Sequence, residues 1–170
     1  IIKMLLQSMN LNALIQRTSK SEVPDDIKIV LDELNKDDGF KTRYQIRDIY
    51  QVNATKHNSR YEPKDSNLDI KHKYLTHGTH NSSILTILRD GLLRRCEINA
   101  DAQVSLTGLG LGDGIYFARP DQAGKSISYS GSSANVIYLF IADVAYTKEF
   151  DVKRYGDFSS EDWDLLHANA

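Results

Sequence analysis

Gly108, Gly110, Gly112 and Gly114 alternate with other residues and then give way to Ile115-Tyr-Phe-Ala118. A dinucleotide-binding turn needs a strand before its glycines and a helix after them. Here the glycines lead into an apolar run that reads as a strand, which excludes a parallel, doubly wound nucleotide-binding sheet. They point instead to a tight, left-handed backbone or to close approach of a ligand to the main chain.

The flanking stretches have clear periodicity. Lys73 to Thr76 reads as a short strand delivering His77, followed by Gly78 and Thr79. Asn81-Ser82-Ser83 offers short polar side chains that can accept a helix's free amide hydrogens. Ile84, Ile87 and Leu88 supply the stripe of that helix, and Gly91 falls where a left-handed C-terminal cap belongs. Residues 95–107 read as a loop. Pro120-Asp121 opens a short helix reaching about Tyr129, with Lys125 and Ser126 on it, and Ser130 to Ser133 form a turn. Val136-Ile-Tyr-Leu-Phe-Ile-Ala142 is continuously apolar, the mark of a strand covered on both faces.

Towards the N-terminus, Ile2, Leu5, Leu6, Met9 and Leu14 form a stripe that predicts a helix over residues 1–18. Pro24-Asp25-Asp26 starts a second helix through about Asn35, with Ile27, Val30, Leu31 and Leu34 at helical spacing. Asp37-Asp38-Gly39 stops it. From Tyr44 the period is two: Tyr44, Ile46, Tyr50 and Val52 share one face, with Asp48 interrupting it. Residues 53–70 read as a polar loop. After residue 146 the chain is mixed and acidic, with Trp163 and Leu165-Leu166 as a small anchor.

Composition narrows the function classes. The chain has 170 residues and a formal charge of −2, with no apolar run long enough to span a membrane. Residues 41–73 carry eight Lys and Arg against four Asp and Glu; residues 143–170 carry three against seven. This balance argues against general nucleic-acid binding. The single cysteine, Cys96, excludes an intrachain disulfide and a cysteine-based zinc site. An intracellular, reducing compartment is the simplest fit. The N-terminal residues lack a signal-peptide pattern, and the chain reads as a trimmed piece of a longer protein.

The order strand, His77-Gly78-Thr79, helix ending in Gly91-Leu92, loop, Gly112-x-Gly114-Ile-Tyr116-Phe-Ala, Lys125-Ser126-x-x-Tyr129 resembles the catalytic domain of the poly(ADP-ribose) polymerase family over about residues 40–155. The resemblance implies an α+β fold: a split, largely antiparallel sheet with short flanking helices and an N-terminal helical segment. It implies a catalytic domain at 40–170, and leaves the helical segment at 1–39 as a candidate remnant of the family's regulatory helices. The activity it implies is transfer of ADP-ribose from NAD, with nicotinamide released, to a protein or nucleic-acid acceptor, with no metal and no membrane partner. By the same resemblance His77 bonds the adenosine ribose. The Gly78 backbone and the Ser126 hydroxyl hold the nicotinamide amide, and Tyr116 and Tyr129 sandwich the ring. Thr79 keeps the hydroxyl of the family's serine, and Lys125 lies toward the acceptor.

Two departures stand out. The family places a glutamate on a late apolar strand to bond the nicotinamide ribose and orient the acceptor. Here Glu149 and Glu161 are the glutamates after the 136–142 run, and neither lies in such a strand, so no catalytic carboxylate is assigned. Leu93 also stands where the family often has an arginine. A degenerate module that binds NAD or ADP-ribose without turnover therefore remains an alternative, as does an RNA 2′-phosphotransferase, which shares the fold but needs more arginines around its site.

Overall fold

The computed structural model describes residues 13–54, 68–94, 97–98, 114–131 and 135–149. Strand β1 is Ala13–Thr18, followed by helices α1 (Asp25–Leu34) and α2 (Asp38–Lys41) and strand β2 (Ile49–Ala54). Strand β3 is Lys71–Gly78. A single 3-10 turn at Asn81–Ser83 then leads into α3 (Ile84–Asp90). A second 3-10 turn at Pro120–Gln122 leads into α4 (Ala123–Ile127), and β4 is Leu139–Tyr146. The fold is α+β. Among the described residues the strands make two antiparallel pairs, β1 with β2 and β3 with β4.

The core joins distant parts of the chain. Val23, Leu31, Leu34, Phe40, Ala123 and Ile127 form one buried cluster, with Ile27, Tyr44, Ile46, Ile49, Ile137, Leu139 and Ile141 packed against it. Helix α1 supplies the cluster because its apolar residues recur at helical spacing. Pro24 stands at its N-cap, and Asp25 and Asp26 occupy its first turn, where negative charge suits the helix dipole. Burying a leucine as completely as Leu34 contributes about 2 kcal/mol.

Several expectations need correction. Ala13–Thr18 is a strand rather than the end of a helix, with Ile15 opposite Val52 and Arg17 opposite Tyr50. Of the helical stripe Leu14 alone falls in this stretch, and cross-strand pairing outweighs so weak a local preference. The strand expected from Tyr44 begins at Ile49, because the facing switches in between. Tyr44 and Ile46 pack on the core, as does Ile49, whereas Tyr50 and Val52 are 46% and 41% exposed. Asp48, at the switch, pairs with Arg17 and Arg47.

The strand expected at 136–142 lies instead at Leu139–Tyr146 and is half-buried rather than covered on both faces. Ile115 to Phe117 is not a strand; one bridge, between Thr76 and Ala118, attaches this segment to β3. Asn81 does not cap with its side chain: its Oδ1 accepts no amide hydrogen, while its Nδ2 donates to the Val136 carbonyl oxygen at 3.1 Å. Gly91 does have positive φ, 84° with ψ −178°, a region open essentially to glycine. Expectations placed on residues 1–12, Cys96, Gly108 to Gly112, Glu161, Trp163, Leu165 and Leu166 lie outside the described residues.

Candidate functional site

The site is built where β3 ends. Thr76, fully buried, is the hub. Its backbone amide donates to the Ala118 carbonyl oxygen at 2.8 Å, and its own carbonyl accepts from the Ala118 amide at 2.9 Å. Its hydroxyl donates to the same Ala118 oxygen at 3.1 Å. From the other side Ser126, 6% exposed on α4, donates its hydroxyl hydrogen to the Thr76 carbonyl at 2.8 Å. Three segments far apart in sequence thus meet one residue before His77.

His77 is half-buried at the penultimate position of β3. Its Nδ1 lies 2.8 Å from the Tyr116 carbonyl oxygen. A carbonyl can only accept, so the ring hydrogen sits on Nδ1 and Nε2 keeps its lone pair. Burial pushes the imidazole below its ordinary pKa, and the Tyr116 bond opposes that only in part. The ring meets Phe117 edge-on, with centroids 5.7 Å apart. The arrangement makes His77 a neutral, oriented hydrogen-bond acceptor.

Gly78 follows, and here the absence of a side chain is a packing requirement. A methyl group on it would lie 1.8 Å from the Ser126 carbonyl oxygen and 2.8 Å from Ser130 Oγ. The Gly78 backbone therefore rests directly on the end of α4. Similarly, a methyl on Gly131 would fall 2.6 Å from His80 Nδ1, so the turn after α4 runs close beside the turn after β3.

The structure brings His77, Gly78 and Ser126 together with the Tyr116 backbone. Thr79 continues the turn, half-buried. Tyr116 is half-buried and Tyr129 is 53% exposed beyond the end of α4. Lys125 turns back toward the preceding 3-10 turn, donating to Gln122 Oε1 at 2.8 Å. Gly114 has open space around it. Glu149 stands elsewhere: its Oε1 pairs with Lys73 Nζ at 2.8 Å, and Lys73 lies over the Tyr146 ring. Lys73 precedes His77 by four strand residues, roughly 13 Å along β3.

Two residues escaped the sequence reading. Thr76 passed as part of an apolar strand, although a hydroxyl at a buried strand position signals a bonded network. Asp37 passed as a helix stop. Its Oδ1 accepts from the Phe40 amide at 3.1 Å and its Oδ2 from the Gly124 amide at 2.7 Å. The visible signal was an aspartate at the N-cap position ahead of Phe40.

Among the described residues no three His, Cys, Asp or Glu side chains gather to hold a metal. Nor is any described helix long and apolar enough to cross a membrane. No curated protein matches the chain. The family model for the poly(ADP-ribose) polymerase catalytic domain matches residues 24–162, most of the chain and all of the site just described. The chain belongs to the poly(ADP-ribose) polymerase catalytic domain family.

Proposed function

We propose that the chain is an NAD-dependent ADP-ribosyltransferase that releases nicotinamide and passes ADP-ribose to a protein or nucleic-acid acceptor. The family match across residues 24–162 carries this reading, since it spans His77, Gly78, Tyr116, Ser126 and Tyr129 in one stretch. The local chemistry supports it. A neutral His77 with a free Nε2 lone pair suits a ribose hydroxyl, which donates. The Gly78 backbone, packed directly against the end of α4, is the group the family pattern assigns to the nicotinamide amide. Ser126 has committed its hydrogen to Thr76, so it offers a bound carboxamide a lone pair rather than a hydrogen. Tyr116 and Tyr129 supply flat faces for an aromatic ring.

Breaking the nicotinamide–ribose bond builds positive charge on the sugar, as in glycoside hydrolysis. Stabilising that charge calls for a preorganised negative group. Glu149 is exposed and held by Lys73 toward the other end of β3, which disfavours it for that role. This observation supports the second reading, a module that holds NAD or ADP-ribose without turning it over.

Calorimetric titration with nicotinamide, alongside an NAD-consumption assay on the same chain and its Glu149→Gln variant, separates the possibilities. Binding with turnover that survives Glu149→Gln is the expected enzyme result. Binding without turnover supports the module. Failure to bind nicotinamide sinks the NAD reading altogether.

A further inference from the structure

We propose that Asp37 is a positioning residue that holds helix α4, and with it Ser126, against the strand ending in His77. The inference deepens the reading above and rests on it for its ligand. Asp37 lies between α1 and α2, and its carboxylate bonds run to the Phe40 and Gly124 amides rather than to a candidate binding residue. Its two carboxylate oxygens do different jobs. Oδ1 caps α2 through the Phe40 amide, at 3.1 Å, a role that serine, threonine or asparagine can also fill. Oδ2 reaches 87 positions along the chain to the Gly124 amide, at 2.7 Å, and that bond is the shorter one.

Gly124 is fitted to this contact: a methyl there would lie 3.3 Å from Asp37 Oδ2, tighter than ordinary packing. Serving both amides at once takes two acceptor oxygens in one planar group, which a carboxylate provides. Helix α4 needs such help. At five residues it is far shorter than a helix that holds itself together, and its first amides have no partner within the helix. It is fixed from outside at two points, Gly124 by Asp37 and Ser126 by Thr76. The shared core of Phe40, Ala123 and Ile127 sets the carboxylate at its place. A continuous path results: Asp37, Gly124, Ser126, Thr76, His77.

The competing role is a plain N-cap that affects stability alone. Asp37→Ser separates the two, because a serine hydroxyl can cap Phe40 but is too short to reach Gly124. Asp37→Asn is the conservative companion, with one good acceptor oxygen in place of two. The readouts are amide hydrogen exchange at Gly124 and Ser126, and nicotinamide titration under conditions where each variant is folded.

Expected in Asp37→Ser are faster exchange at Gly124 and Ser126, unchanged protection in α1, and nicotinamide affinity lowered on the order of tenfold, with Asp37→Asn in between. Unchanged affinity together with unchanged Gly124 protection would overturn the proposal, as would loss of protection spread evenly through α1. If the parent chain binds no nicotinamide, the NAD reading fails and the exchange result alone decides. Local loss at Gly124 and Ser126 then upholds the positioning role, and its absence removes it.

Discussion

The side-chain oxygens of Thr76 and Ser126 lie 3.1 Å apart, both buried, and each hydroxyl also reaches a backbone carbonyl that β3 and the Ala118 segment already share. Strand, connecting segment and helix are therefore locked in one hydrogen-bonded unit. His77 and Gly78, which end β3, leave that unit with little freedom, which is what a site relying on fixed acceptors requires.

Thr76→Val tests the lock. Valine keeps the branched shape but removes the hydroxyl, and with it the buried side-chain bond to the Ala118 carbonyl. The loss should be about 1–3 kcal/mol, seen as a lower urea midpoint with unchanged slope. A midpoint equal to the parent's would mean that bond contributes nothing.

Gly78→Ala tests close approach. The added methyl collides with the Ser126 carbonyl, a backbone atom that cannot swing aside. Either β3 or α4 must shift, at about 3 kcal/mol or more. Gly114→Ala, where a methyl meets nothing within 4 Å, is the control and should cost far less. Similar midpoints for the two variants would refute the packing argument.

Much of this was legible in the sequence, and the failures share a cause. Ile27, Val30, Leu31 and Leu34 announced α1 because helical spacing is a local signal. Gly91 announced its positive φ because few other residues tolerate it. Residues 13–18 and 115–117 misled because strand identity depends on a partner: Ile15 finds Val52, whereas Ile115 to Phe117 gain only the single bridge at Ala118. The candidate binding residues were found through a family pattern. Their supports, Thr76 and Asp37, were missed because what distinguishes them is a bond to a residue 42 or more positions away.

Tyr74 offers a separate test of how α1 meets β3. Its hydroxyl donates to Asp26 Oδ2 at 2.8 Å, and this bond, together with partial burial, pushes the phenol up to about 12. A pKa raised in the folded state gives stability that is complete below the unfolded value near 10 and lost as pH rises through about 12. Ultraviolet titration should therefore show a late tyrosine step near pH 12, and Tyr74→Phe should abolish that step. A Tyr74 that ionises near 10 would show the contact to be absent in solution.

His77 carries the pH prediction for the site itself. Burial disfavours its charged form, so its folded pKa lies below the ordinary 6.5. The sign follows: the neutral ring's contribution is complete above about 6.5, where the unfolded histidine is also neutral, and is lost as pH falls through the lower folded value. Protonation also removes the Nε2 lone pair, so affinity for an adenosine-bearing ligand should be level above about pH 6.5 and decline only below it. Nitrogen-resolved NMR of the imidazoles checks both halves. His77 should carry its hydrogen on Nδ1, bonded to the Tyr116 carbonyl, and its midpoint should fall below 6.5. A midpoint at or above 6.5, or a hydrogen on Nε2, would show that the ring does not present the acceptor on which the ribose contact depends, and His77 would lose its place in the site.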